Sequence, residues 1–350
     1  MLIYKSFYEK FIYNLFYLIF DNMIVSKTPF RISIGGGGTD LPFYYTKKEG
    51  TLISATINKY IYIIVQKRQF DTFLIRYSKT EVVKNVKDIQ HELIREALIL
   101  LNITDPIEIT SVSDFPAKTG LGSSSSFLVG LLNALHEYKN ERVSKKKLAE
   151  EATKIQTDIL KKSSGLQDQY AASFGSLISM NINRKGRTLV TPVDISDELL
   201  TEIENKLVFL YTGIKRSAEE ILKEQKAEAE IDEDKIIGLT QIKKIGLDIK
   251  KALETGNLRK FGLLMNLHWE VKKSLSAKMT NSQIDEWYQL AIKNGAIGGK
   301  IMGAGGGGFL MFFVDKNKEA FVKAMQEKGE LIHVPCKFDY DGTKIIINER

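Results

Sequence analysis

Three glycine-bearing segments and one aspartate hold the residue types that could do chemistry in this 350-residue chain. The first segment, PFRISIGGGGTD at 29–40, takes a strand with Arg31 through Gly35, Gly36, Gly37 and Gly38 into Thr39 and Asp40. Successive glycines let a backbone approach a ligand closely, at an entropic cost. A hairpin loop explains the glycines but not an aspartate set beside them. The second segment, KTGLGSSSSFLVGL at 118–131, is a glycine turn, then four serines, then an apolar run. Serine caps a helix better than it fills one, so the chain enters a helix N-terminus here. The free N–H groups and the dipole at such an end favour an anion, and a hydroxyl there can reach a Mg²⁺ held by phosphates. It is not a Walker A loop, because Gly122 is followed by Ser123 and Ser124 with no lysine. The third segment, GAGGGGF at 303–309, spells G-x-G-x-x-G at Gly303, Gly305 and Gly308. A dinucleotide fingerprint must open a helix, whereas FLMFFV, a strand, follows here, so a Rossmann dehydrogenase is set aside. Five glycines in six positions exceed what a packing turn asks for. Asp168, in SSGLQDQYAASFGS at 163–176, reads alone as an ordinary helix cap and gains weight only from its company.

The elements that must position these residues follow from pattern. Residues 51–68 are β-branched and aromatic and predict strands; 105–115 alternates and leads as a strand into the serines. Helices are expected over 123–138 and 144–162, and a buried strand over 206–213, close to a domain boundary. From Arg216 to about Lys273 the chain is charged and helical, with Leu239, Ile242, Gly246, Ile249 and Leu253 forming one apolar stripe and a break at 256–258. A glycine loop then feeds a strand at 300–315, and a helix–strand pair ends the chain. Strands and helices interleave without regular alternation, which indicates α+β.

Composition narrows the function. Apolar residues make up 43% and charged residues 27%, enough for a sizeable core. The net charge of +7 suits phosphorylated small molecules, nucleic acid or acidic surfaces without choosing among them. The longest basic run, Lys145–Lys147, reads as a solvated helix start. Cys336 is the only cysteine, so no intrachain disulfide forms, and a reducing, cytoplasmic setting is expected. Histidines 91, 136, 268 and 333 lack metal-ligand spacing. The aromatic run at 11–20 is too short to span a bilayer and lacks a cleavage site. Residues 1–22 are expected to be an extension outside the fold, with no stable membrane association.

Taken together, TPFRISIGGGGTD, PAKTGLGSSSS and KIMGAGGGGFLMFF resemble the three motifs of the GHMP kinases, in order and in wide spacing, over residues 23–350. GGGGTDLPFYY, GLQDQYAASFGS, HWEVKKSLSAKMTN and GGKIMGAGGGGF look like the bacterial D-glycero-D-manno-heptose 7-phosphate kinases within that superfamily. Galactokinases instead carry Glu-His where this chain has Gly37-Gly38. The resemblance implies a two-domain GHMP kinase fold. An N-terminal ATP-binding domain at 23–204 would be like the second domain of ribosomal protein S5, and a C-terminal domain at 205–350 would be ferredoxin-like.

It also implies roles. Gly120, Leu121, Gly122, Ser123, Ser124 and Ser125 would wrap the ATP phosphates, with Lys118 either adding charge there or pointing to solvent. Asp168 would be the catalytic base and Arg31 its partner. Gly37, Gly38 and Asp40 would hold the sugar, and Gly305 and Gly306 of motif three would close over the reacting phosphoryl group. Ser124 would meet Mg²⁺. The family's second metal ligand, a glutamate twelve residues before the catalytic aspartate, is Gln156 here, with Asp158 as a substitute. A substrate phosphate needs a second anion site, for which Arg216, Lys272 and Lys273 are candidates; a solvated helix face is the plainer account of the two lysines. The implied activity is ATP-dependent phosphorylation of the anomeric hydroxyl of heptose 7-phosphate to the 1,7-bisphosphate, for surface polysaccharide. Rival readings are a fucose- or galactose-type 1-kinase and a catalytically weak sugar-phosphate sensor. A nucleic-acid module is disfavoured because no dense basic-aromatic patch is present. The partners are then sugar phosphate and ATP, with a homodimer compatible.

Overall fold

The computed structural model describes residues 23–214 and 233–349; the expected extension at 1–22 and Arg216 lie outside the described residues. The spine is one 18-residue strand, Gly50–Lys67, whose β-branched and aromatic residues suit a pleated surface. Residues 50–57 are buried without a break, as in a strand covered on both faces. From Ile61 onward the pattern alternates, with Ile61, Ile63 and Val65 inward. The strand Met23–Gly35 pairs antiparallel along most of it. Leu177–Ile182 pairs with its first half and Ile107–Ser113 with its second. The register of Met23–Gly35 slips between Pro29 and Phe30. Proline cannot donate to the ladder and is tolerated at a bulge, which re-aims the residues after it. Arg31 is one of them.

The serines open the helix Ser123–Tyr138, with the bounds expected from sequence. The helix expected over 144–162 is α-helical only over Lys145–Thr153 and continues as a wider π-helical turn, Lys154–Ile159. Such turns recur at functional sites, and this one carries Gln156.

A second sheet holds Leu207–Tyr211, Ala296–Ile301, Phe309–Val314 and Ile332–His333. Numbered along the chain, its strands lie in the order 4-1-3-2, all antiparallel. Helices separate the first from the second and the third from the fourth, a ferredoxin-like βαββαβ arrangement. The helices Glu233–Glu254 and Leu258–Ser274 form a hairpin broken at 255–257, where the Asn257 side chain accepts the Lys260 N–H at 3.0 Å. The stripe expected from sequence is buried, and at Gly246 it lies on the four-glycine loop: a methyl there would sit 2.8 Å from the Gly36 nitrogen.

The last residues depart from a division at 204/205. Phe338–Asp339 pairs with Ile57 and Thr56, and Lys344–Glu349 pairs with the start of Met23–Gly35. The C-terminal strand therefore completes the first sheet, covering an edge whose backbone groups would otherwise be open. One apolar core, from Phe30 and Ile32 to Phe309 and Phe313, joins both sheets. Among the described residues, no helix is long and apolar enough to cross a membrane.

Candidate active site

A cleft of about 330 Å³ is lined by residues from all three glycine segments. Arg31, Gly37, Gly38 and Asp40 come from the first, Lys118, Gly120 and Gly122 to Ser125 from the second, and Gly303 and Ala304 from the third. Gln156, Asp168 and Lys272 complete the set, so the side chains expected at a phosphoryl-transfer site share one cavity.

At its centre is a fork. Arg31 Nε donates to Asp168 Oδ1 at 2.5 Å and Nη2 to Oδ2 at 2.8 Å. Its remaining arm, Nη1, donates to the Gly120 carbonyl at 2.7 Å, and its backbone N–H reaches Leu121 O at 3.1 Å. One arginine thus ties the catalytic candidate to the serine turn, through the bidentate geometry that makes such pairs strong. The arginine side chain is 7% exposed and the carboxylate 25%, so Asp168 faces the cleft over a buried partner. Gly122 permits this. It caps the serine helix in the left-handed region at φ +76°, and a methyl on it would stand 3.0 Å from Arg31 Cγ and 3.2 Å from Asp168 Oδ2.

Asp40 is buried beside them. Its Oδ1 accepts from Gly38 N and its Oδ2 from Gln167 N, each at 3.0 Å. Burial pushes its pKa above the usual carboxylate range; the Asp168 charge adds to this, while the Gln167 and Gly38 N–H groups oppose it. Gly165 passes so close that a methyl on it would overlap Asp40 Oδ2 at 1.8 Å.

The four serines divide. Ser126 Oγ donates to Pro29 O at 2.9 Å and locks the helix to the bulge. Ser125 gives its hydroxyl to Gln156 Oε1 at 3.1 Å and its N–H to Gly122 O at 3.1 Å, so both its donors are spent inside the protein. It holds the turn against Gln156 while still bordering the cleft, as expected of a residue of the phosphate turn. Ser124 is exposed in the cleft and Ser123 half-buried. Lys118 is exposed at the rim with φ +70°, meeting both cleft and solvent.

A Mg²⁺ carried by a nucleotide keeps waters and phosphate oxygens and needs few protein ligands, and the Ser124 hydroxyl fits such an ion. Gln156 does not fit as it stands. It is 3% exposed, and its side-chain oxygen lies against the Ser125 hydroxyl and the Gln169 side chain. Asp158 is exposed, accepts the Thr157 hydroxyl at 2.9 Å, and is not among the cleft side chains. Among the described residues, no cluster of three or more His, Cys, Asp or Glu could hold a metal ion.

The third loop meets the cleft one step earlier than expected. Gly303 and Ala304 line it, while Gly305 and Gly306 back onto Met279, whose carbonyl takes the Gly306 N–H at 2.8 Å. Lys272 is 9% exposed and donates to Gly303 O at 2.5 Å, so a solvated-face account fails for it. Lys273 instead pairs with Glu270 at 3.1 Å. Sequence reasoning missed two buried bases nearby. Lys300 is 1% exposed and donates to Ile34 O at 3.3 Å, at the root of the glycine loop. Burial, with Lys272 and Arg31 adding, drives its pKa far down; His268 is likewise pushed down by burial and by Lys300 and Lys272. A lone lysine inside an apolar strand, three residues before Gly303, was the available signal.

The GHMP kinases N terminal domain matches residues 81–176, and the GHMP kinases C terminal domain matches 249–331. The D-glycero-alpha-D-manno-heptose 7-phosphate kinase of Campylobacter jejuni is 31% identical over 339 residues, 92% of this chain and 98% of that protein. The galactokinase of Pyrococcus furiosus is 27% identical, over 84% of this chain and 90% of that one. Among solved structures, a D-glycero-D-manno-heptose 1-phosphate kinase from Bacteroides thetaiotaomicron superposes with a TM-score of 0.77 at 25% identity, over 93% of this chain and 99% of that one. With its fold, its cleft and these relatives in agreement, the chain belongs to the GHMP kinases and is a sugar kinase, an enzyme whose phosphoryl acceptor is a sugar hydroxyl.

Proposed function

We propose that the enzyme moves the γ-phosphoryl group of ATP to the anomeric hydroxyl of D-glycero-D-manno-heptose 7-phosphate, giving the 1,7-bisphosphate for nucleotide-activated heptose and surface polysaccharide. The observation that carries this is the Arg31–Asp168 fork, held at the mouth of the serine turn and within one cleft with Asp40 and Lys272. Phosphoryl transfer rests on positioning and charge stabilisation more than on covalent chemistry. Asp168 accepts the proton of the anomeric hydroxyl as that oxygen bonds to the γ-phosphorus and ADP leaves. Arg31 sits behind the carboxylate and offsets charge growing on the equatorial oxygens. The turn from Gly120 to Ser124 presents backbone N–H groups and hydroxyls to the phosphates. Mg²⁺, when bound with the nucleotide, neutralises its phosphate oxygens; Ser124 would hold it on the protein side. Asp40 and the glycine loop orient the sugar, and Lys272 supplies positive charge for its second anion.

The test is a substrate panel read by ADP release: heptose 7-phosphate, free heptose, fucose and galactose, with the product position assigned by phosphorus NMR. Heptose 7-phosphate should give the highest kcat/KM and a phosphate on C1. A higher kcat/KM on free fucose or galactose would replace the proposed substrate with a free sugar, galactose being the kind named for the Pyrococcus furiosus relative. No turnover of any sugar would leave the sensor reading.

A further inference from the structure

Beside Asp168 stands a buried donor that no other described residue uses. Gln167 is 6% exposed and lines the cleft, and its Nε2 has no hydrogen-bond partner among the described residues. Its backbone N–H is committed, going to Asp40 Oδ2 at 3.0 Å. Its side chain lies over the glycine loop: a methyl placed on Gly37 would sit 3.6 Å from Oε1 and 2.6 Å from Ser33 Oγ. A buried amide left without an acceptor is costly, and native proteins tolerate few of them. One kept in a ligand cleft, next to the base, awaits an acceptor that the ligand brings.

The neighbours say what that acceptor is. Asp40 offers only acceptor oxygens while ionised, and Asp168 is spoken for by Arg31 and the reacting hydroxyl. A sugar hydroxyl is both donor and acceptor. Set between Asp40 and Gln167, it gives its proton to the carboxylate and takes the amide N–H on its oxygen, so both protein groups are satisfied at once. A methylene there satisfies neither, and a carbonyl oxygen answers only the amide.

We propose that Gln167 is a specificity-determining residue of this kinase, its side-chain amide donating to a non-reacting hydroxyl of the sugar that Asp40 also binds. The inference rests on the sugar lying beside Asp40, as under the proposed function, but not on which sugar it is. It explains why the residue before the base is polar although it sits among buried side chains.

Gln167→Met keeps the size and removes the donor. It should raise KM for the sugar by about tenfold, leave KM for ATP within twofold, and leave the thermal midpoint no lower than that of the parent, since an unpaired buried donor has gone. The sharper readout is a series of heptose 7-phosphates deoxygenated at C2, C3 or C4. One deletion should cost the parent about tenfold in kcat/KM and cost Gln167→Met clearly less, the remainder being the contact to Asp40. Equal losses in parent and variant for every deletion, an unchanged sugar KM, or an equal rise in KM for ATP would each overturn the proposal. If the parent prefers galactose or fucose, the same series is built on that sugar. Failure of the heptose assignment then shows in the parent, and failure of the Gln167 assignment shows in the parent-to-variant ratio.

Discussion

The two ends of the helix Ser123–Tyr138 are built on opposite plans. At its start, Gly122 caps with no side-chain hydrogen bond and the first turn holds no acidic residue, so the positive end of the dipole is left to whatever occupies the cleft. At its far end, His136 is clamped between two carboxylates, Nδ1 to Glu141 at 2.8 Å and Nε2 to Glu151 at 2.7 Å, in the last turn, where a cation complements the dipole. The same peptide dipole is thus left open where a ligand is needed and sealed where it is not. Substitutions should separate accordingly: those that reach the cleft at the open end should act on rate, and those at the sealed end on stability without rate.

The largest effect belongs to Asp168. Asp168→Asn keeps the shape but removes the proposed proton acceptor, and should lower kcat by about 10²–10⁴-fold. The circular dichroism should stay that of the parent. Turnover within tenfold of the parent, measured by ADP release, would remove Asp168 from the chemistry.

Gly122→Ala comes next. The added methyl must displace the Arg31–Asp168 fork, and φ +76° strains any residue with a side chain. A shift near 1 Å in such a group costs about 10²-fold in rate, and kcat/KM should fall on that order while His136 and its partners keep their places. An unchanged kcat/KM would mean that the fork is not held by that glycine.

The serines sharpen the comparison within a single turn. Ser124→Ala should raise the Mg²⁺ concentration for half-maximal rate by about tenfold if it removes one hydrogen-bond-sized contact to the hydrated ion. Ser125→Ala should leave the Mg²⁺ titration in place and cost about 1 kcal/mol of stability, because its hydroxyl serves Gln156. The reverse result would return Ser125 and Gln156 to the metal.

What was legible in the sequence follows the range of the forces involved. The start of the helix at Ser123 and the break expected at 256–258 depend on capping and turn chemistry within a few residues; the first fell where local pattern put it and the second one residue earlier, at 255–257. The apolar stripe from Leu239 to Leu253 showed itself by period alone. The fork was not legible in spacing: Arg31 and Asp168 are 137 residues apart, and only the motif resemblance paired them. The separate duties of Ser124, Ser125 and Ser126 depend on what packs against each, a Pro29 carbonyl in one case and a glutamine on a π-helical turn in another. Lys300 stood out only as a lone lysine in an apolar strand, and its burial and that of His268 are made by tertiary contact. The return of Lys344–Glu349 to the first sheet is of the same kind, a long-range pairing that no local signal announces.

The smallest effect is at the sealed end and is read in pH rather than in rate. Burial alone would push the His136 ring towards neutrality, but the hydrogen bonds and charges of Glu151 and Glu141 outweigh it and raise its pKa above the ordinary 6.5. His136 correspondingly holds Glu151 below the ordinary 4.5, against the opposing pull of burial. The signs then set the window. A raised histidine contributes stability that is fully present below 6.5 and fades as pH rises through its folded pKa. A depressed glutamate contributes stability present above 4.5 and lost as acid protonates it. Their overlap lies on the mildly acid side of neutrality. His136→Gln, uncharged throughout, should cost about 1–3 kcal/mol near pH 6, the scale of a hydrogen bond to a charged group, and progressively less towards pH 9. Denaturant unfolding at a series of pH values measures the difference, with kcat assayed alongside. A loss that is flat across pH, or a fall in kcat to match it, would place His136 in ordinary packing or in the cleft's machinery and erase the contrast between the two ends.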